Sequence, residues 1–489
     1  MQESYDIVQK KDSGHGYEHS AKIWQIGCFT LNNTAVNIYF MLMLYIAYFM
    51  SGVLGLSVAV ISTILAGLVV ADGFMDPIVG WLIDRTGGRF GKFRPFMFVG
   101  NVLMAFSLAL MYFSQSTAAW WRFPLFFAAY TIYIVGHTCQ FCVTRAAQSV
   151  LTNDPKQRPV FSAFDMAMNV LLYVGVTMIV SNVLVARHGG FYATMFAEFF
   201  IFAAVASFIC TCLAIAGIWS KDRPAYYGFA TGQKAKLRDS FVVLKENRNI
   251  QMLIIASSTD KLFSSITQNA VVSVIIFGII AGDFALSGQT NMIVFMPSMV
   301  VSMLVVQLAR RKGQKEALLF STYGGIIFTS LIFLLFLFGN PANLSFVNLS
   351  AFAILFLVFL ALRGGFMSVN NSILVPMVAD CVDHELARSG RYIPGMIGTL
   401  FSFADKVVTS LNSVIIGALV IFAGYGAALP TVSTSYSRAL FWVGMVCYCI
   451  LPIFGWVLNI VCLRYYRLSK KGMADVRESI NTTSRFMAE

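Results

Sequence analysis

The sequence predicts an all-α membrane protein of twelve transmembrane helices arranged as two six-helix halves. Three observations carry that expectation. Of the 489 residues, 58% are hydrophobic and 12% are charged, about half the charged share of soluble domains. Such a chain cannot cover itself with a wetted surface, so it belongs in a bilayer. Hydropathy and chain breakers then divide it into stretches near the length of about 20 residues that a bilayer requires. Lysine and arginine are distributed just as unevenly. With both termini cytoplasmic, the tails and loops on that side hold 28 of the 35 basic residues, and the opposite loops hold Arg122, Arg187 and Arg438. That asymmetry satisfies the positive-inside rule.

Residues 1–22 are polar and lack a cleavable apolar core, which predicts a cytoplasmic tail. The spans follow at 23–50, 57–83, 95–114, 123–149, 159–185 and 191–219, then 250–280, 286–309, 317–338, 346–376, 395–424 and 439–463. The longest polar gap, 220–249, separates a first half (23–219) from a second (250–466), and a polar tail (467–489) closes the chain. Polar groups interrupt particular spans. Asn32, Asn33, Thr34 and Asn37 lie on the first, Asp72 and Asp76 on the second, His137, Gln140 and Arg145 on the fourth and Asp165 on the fifth. In the second half they are Asp260 and Lys261, then Arg363, Asn370 and Asn371, then Lys406.

The net charge of +12 describes topology and contact with an anionic leaflet, not nucleic-acid binding. The nine cysteines are scattered, and the CQFC pair Cys139 and Cys142 reads as packing inside a span. No Walker-type loop occurs, which disfavours ATP-driven transport, and no constellation supports an enzyme. A receptor would need a soluble effector domain, and the sequence shows none.

Asp72 and Asp76 are the most informative residues. Four apart on a helix, they share one face. Each acid at bilayer depth costs about 2.5 to 3.5 kcal/mol, before mutual repulsion is counted. A bound cation or a shared proton relieves both costs.

The stretch Gly80-Trp81-Leu82-Ile83-Asp84-Arg85-Thr86-Gly87-Gly88-Arg89 resembles the loop signature between the second and third helices of the major facilitator superfamily. That architecture places the substrate between the halves near the midplane. With its flanks, DGFMDPIVGWLIDRTGGRFGKFRP, and with the late segment MVADCVDHELARSGRYIPGMIGTLFSFADK, the chain resembles the glycoside-pentoside-hexuronide cation symporters. The second segment lacks the Tyr-Gly-Glu-Trp-like run common in that family. The resemblance implies that Asp72, Asp76 and Thr138 bind the coupling cation, acting as its metal ligands where the ion is sodium, and that Lys406 lies between the cation and sugar sites. Hard cations prefer such oxygens, and a nearby lysine can neutralise the acids when the cation leaves. The acids that the melibiose permease places on its first and fourth helices align with Val36 and Phe141, and its helix-five arginine with Met166. Recognition of a galactoside by that route is therefore not expected.

The alternative substrate set is Asn33, Asn37, Arg145, Asp165, Arg363 and Lys406, whose amides and charges suit a polyhydroxylated ligand. Retaining Lys406 and Arg145 without two acids makes the cavity more positive, so an anionic ligand such as a hexuronide is expected to fit better than melibiose. A cytoplasmic gate is expected from Asp84, Arg85 and Arg89, with Asp380 and Asp383 as its counterpart and Arg388 and Arg391 as partners. His137 reads as an interior hydrogen-bonder beside Thr138. The functional expectation is a monomeric secondary transporter of the inner membrane. It would couple sodium or proton entry to symport of a sugar glycoside by alternating access, with no cofactor beyond the coupling ion. The competing reading is an exporter or antiporter of amphipathic compounds.

Overall fold

The computed structural model describes residues 20–87, 90–113, 119–152, 157–223, 247–346, 349–389, 394–468 and 472–473. Every regular element among them is helical. The first half comprises α1 (Ile23–Val53), α2 (Val58–Arg85), α3 (Arg94–Phe113), α4 (Ala119–Ala146), α5 (Arg158–Met178, continued by Ile179–Leu184 and Val185–His188) and α6 (Ala193–Ile218). The second comprises α7 (Arg248–Thr267 and Ala270–Ile280), α8 (Ala285–Lys312), α9 (Gln314–Phe338), α10 (Ala351–Ser389), α11 (Pro394–Thr409 and Leu411–Phe422) and α12 (Arg438–Tyr465). Eleven of these helices are long and apolar enough to cross a membrane, and α7 makes twelve if its segments, bent by 46°, count as one span. Pro124 and Pro297 lie inside α4 and α8, as neighbouring helices allow in membrane bundles.

One boundary departs from expectation. The tenth span was expected to end at 376, whereas α10 is 39 residues long and continues to Ser389. Beyond the apolar window, Met377, Cys381 and Val382 are buried in the core of the second half, which keeps the extension helical. Asp380 therefore stands on a helix rather than in a loop.

The helix pairings repeat. In the first half α1 packs on α6 and α5, while α4 packs on α3 and α2; in the second, α7 packs on α12 and α11, while α10 packs on α9 and α8. Shifting every helix by six maps one set onto the other, so the halves are structural repeats. They meet along α2–α11 and α5–α8, pairs that the same shift exchanges. Within the first half, a Cβ on Gly100 or Gly136 would lie 2.8 Å from the other's carbonyl oxygen, so α3 and α4 cross where only glycine fits.

The cores differ between the two ends. At the end away from the termini, one apolar cluster joins both halves, from Tyr48 and Phe49 through Phe191 to Ile275, Phe356 and Tyr448. Tyr48 stacks on Phe191 at 4.3 Å and donates to the carbonyl of Pro430 at 3.2 Å. Gln289 donates to Asn182 across α5–α8 at 3.2 Å. At the terminal end the cores stay separate, one around Phe29, Met97 and Val143 and another around Leu253, Val369 and Leu400. Among the described residues, the bundle is thus closed at one end and parted at the end where α1 begins and α12 ends. π-helical turns in α1, α5, α7 and α12 all lie towards the closed end, where they locally redirect side chains.

A buried acid anchors the loop before α3. Asp222, 1% exposed, accepts from the backbone N–H groups of Lys92, Phe93 and Arg94 and pairs with the Arg94 guanidinium at 3.2 Å. The helix N-terminus favours that negative charge. Gly91 adopts φ +85°, and a Cβ there would meet the Asp222 carboxylate. Asp222→Ala leaves three N–H groups and a guanidinium without their acceptor, and should cost about 3 to 5 kcal/mol. A lowered unfolding temperature of the purified protein checks this.

Candidate cation and substrate site

Asp72 and Asp76 share one face of α2, as their spacing requires, and that face meets α11 of the other half. The Lys406 ammonium lies between them, 3.0 Å from Asp72 Oδ2 and 2.8 Å from Asp76 Oδ2, and also donates to the Asp72 carbonyl at 3.3 Å. Thr138 on α4 donates to Asp72 Oδ1 at 3.1 Å. Asp76 Oδ1 is buried with no hydrogen-bond partner. The cluster therefore holds two carboxylates, one ammonium, one hydroxyl and an acceptor oxygen that is still free. Gly73 gives α11 room, with Phe403 and Lys406 in ordinary contact with the space a Cβ would fill. Among the described residues no group of three or more His, Cys, Asp or Glu gathers as for a resident metal. A hydroxyl and two carboxylates instead suit a transported alkali cation or a proton.

For His137 the contacts among the described residues are aromatic ones. Its ring stacks between Tyr133 and Phe141, at centroid distances of 5.9 and 5.5 Å, within electrostatic range of Asp72, Asp76 and Lys406.

A second polar group joins α1 to α5. Asn33 donates to Asp165 at 2.7 Å, and one turn further along each helix Asn37 donates to Asn169 at 2.6 Å. All four side chains are half-buried. Asn169 was not singled out from sequence, although it lies four residues beyond Asp165 and so shares its face. Asn32, by contrast, is fully buried on another side of α1, bonded to Thr144 and Gln140, with Gln140 continuing to Thr211. That network packs the half together.

A third group was also missed. Asp405, next to Lys406 on α11, accepts from Lys261 at 2.8 Å and from Ser258 at 2.8 Å, both on α7. Asp260 instead accepts from the Trp456 indole at 2.9 Å.

Arg363 does not join these groups. It is 1% exposed, its three guanidinium nitrogens have no hydrogen-bond partner among the described residues, and it lies over the Tyr448 ring at 4.4 Å. In this conformation Arg363 is enclosed beside Tyr448, apart from the groups around Asp72, Asp165 and Asp405. Of the expected gate residues, Arg89 and the side chains of Asp84 and Asp383 lie outside the described residues, as does the side chain of Arg145. Arg85 lies over the Trp81 ring at 4.1 Å, and Asp380 is half-buried on α10. The acid that structure brings into this region is Glu385, 1% exposed, which accepts from Asn247 at 2.6 Å and from Arg388 at 3.1 Å.

Comparison with known proteins fits this architecture. The family described as MFS/sugar transport protein matches residues 28–470, most of the chain. The chain belongs to that family. The resemblance to glycoside-pentoside-hexuronide symporters is borne out, and the MFS carrier is a multi-pass membrane transporter rather than an enzyme. It is similar to the putative glycoside/cation symporter YagG of Escherichia coli, at 22% identity over 87% of this chain and 88% of that one. It is equally similar, at 22%, to an isoprimeverose transporter of Lactiplantibacillus pentosus, over 92% and 90% of the two chains. Among solved structures, a mutant of the nucleoside transporter NupG covers 91% of this carrier and 100% of its own chain, with a TM-score of 0.64 at 13% identity, which speaks to fold.

Proposed function

We propose that this carrier is a symporter that couples one monovalent cation, sodium or a proton, to uptake of a neutral glycoside. The observation that carries the reading is the Lys406 ammonium held between Asp72 and Asp76. Lys406 belongs to the second half and the acids to the first, so this ion pair ties the halves together across α2–α11. A cation that takes the acids displaces the lysine and removes the tie, which links cation binding to movement of the halves. Lys406 brings one positive charge to two carboxylates, and one monovalent cation completes that local balance.

The basic end is the cytoplasmic end on this reading, which puts both termini inside an inner membrane and makes the structure the inward-open state. One chain acts as the transport unit. The Asp84–Arg89 loop remains the proposed cytoplasmic gate, with Asp380 and Asp383 opposite. Neutral sugars are favoured over hexuronides because Lys406 and Lys261 are both held by carboxylates, while Asp165, whose partner among the described residues is the Asn33 amide, would repel a uronide.

Reconstituted vesicles test this with a panel of p-nitrophenyl glucoside, xyloside and glucuronide together with isoprimeverose and lactose. Accumulation driven by an inward sodium or proton gradient is expected, accompanied by inward positive current, with the neutral glucoside displacing the glucuronide. No accumulation under either gradient, or gradient-driven extrusion of amphipathic dyes instead, overturns the reading.

A further inference from the structure

Asp405 lies on α11, the helix that the repeat equates with α5, which carries Asp165. Asp165 on α5 is steadied by a donor on α1, and Asp405 on α11 is steadied by donors on α7, the pairs that the six-helix shift exchanges. Lys261 decides which way this second group faces. Its side chain is 57% exposed although it lies well inside the α7 span. An ammonium at that depth cannot face hydrocarbon at tolerable cost, so it faces the water-filled space between the halves. It uses one of its three donors on Asp405 Oδ2, while Ser258 takes Oδ1, so the pair presents spare donors beside a carboxylate that can accept more.

We propose that Lys261 and Asp405, steadied by Ser258, form a substrate subsite in the second half for the hydroxyl-bearing part of the glycoside opposite the part held by Asn33, Asn37 and Asp165. The assignment rests on the symport reading and deepens it. An ammonium that donates and a carboxylate that accepts are complementary to hydroxyls on adjacent ring carbons. Because Asp405 and Lys406 are consecutive on α11, a sugar held at one and a cation that displaces the other act on the same turn. Substrate then bridges the halves as the inter-half ion pair is released. Lys261 and Asp405 are binding residues on this assignment.

The test uses the double variant Lys261→Gln with Asp405→Asn, which removes both charges together and leaves neither unpaired. Purified wild type and variant are titrated calorimetrically with whichever neutral member of the panel the wild type binds best. Cation binding is read separately from the shift in unfolding temperature with sodium and with pH. Loss of charge-assisted hydrogen bonds should weaken glycoside binding roughly 10-fold to 100-fold while leaving the cation-dependent shift intact. Ser258→Ala, which keeps both charges, should give a smaller loss in the same direction. Equal glycoside affinity in wild type and double variant overturns the subsite alone. A variant that loses the cation shift as well places the pair in the cation site and also overturns it. A wild type that binds no member of the panel overturns the symport reading and the subsite with it.

Discussion

Asp76→Asn is expected to abolish cation-driven accumulation while leaving glycoside binding and exchange. Asp76 Oδ2 receives the Lys406 ammonium at 2.8 Å, and Oδ1 is the buried oxygen without a partner. At about 3 Å and an effective dielectric of about 20, one unit charge contributes roughly 5 to 6 kcal/mol to holding a cation. Even half of that, after the lysine's competition is allowed for, is about a 100-fold loss of cation affinity. An amide removes the charge without emptying the site, so the cavity keeps its shape and the sugar groups on α1 and α5 are untouched. Asp72→Asn should behave alike, with a further penalty because an amide that keeps its oxygen towards the Thr138 hydroxyl turns its NH2 towards the Lys406 ammonium. Vesicle uptake with and without an imposed gradient separates accumulation from exchange. Concentrative uptake by both single variants at the wild-type level would sink the cation-site assignment.

What could be read from sequence, and what could not, follows from the range of the interactions. The acids of α2 were legible because helical spacing and the cost of charge in hydrocarbon are both local facts. Lys406 as their partner needed family resemblance, since 330 residues separate it from Asp76. The twelve spans and their grouping in two halves were legible from hydropathy and basic residues, but the length of α10 was not. Buried side chains such as Cys381 and Val382, rather than an apolar run, sustain its extension. Asp405 escaped notice because its partner Lys261 lies on another helix, and Asp222 because a charge just after a span looks like an ordinary loop residue. Both are recognisable only when burial is known: Asp405 is 9% exposed and Asp222 1%. The run Asn32, Asn33, Thr34, Asn37 was legible as polar, but not how it divides between sides of α1. Positions 33 and 37 share the α5 side, while 32 turns into the bundle.

Closure at one end and separation at the other also explain why so many charges tolerate mid-membrane positions. Where a single apolar core joins the halves, Arg363 is the charge it encloses; nearer the terminal end, Lys406 and Lys261 each find a carboxylate beside them. Only the latter pairs are placed to exchange partners with a solute as the halves move.

Lys406→Gln supplies the second large effect, opposite in sign to the first. In the wild type the ammonium competes with the coupling cation for the same two oxygens, 3.0 and 2.8 Å away. Removing it leaves two carboxylates four residues apart on one helix face with no counter-charge, so the cation-free state becomes the costly one. Cation affinity should therefore rise, by at least about 10-fold if as little as 1.4 kcal/mol of the lost competition is recovered. Release to the cytoplasmic side should slow correspondingly, and net transport should fall although binding is tighter. The unfolding temperature provides the measurement, because stabilisation by a ligand grows with its concentration relative to the dissociation constant, reaching about 2.7 kcal/mol at 100 times that constant. The variant should be less stable than wild type without cation and should gain more from each increment of it. If instead Lys406→Gln loses its response to cation altogether, the lysine helps to hold the ion rather than standing in for it, and displacement across α2–α11 is not the coupling step.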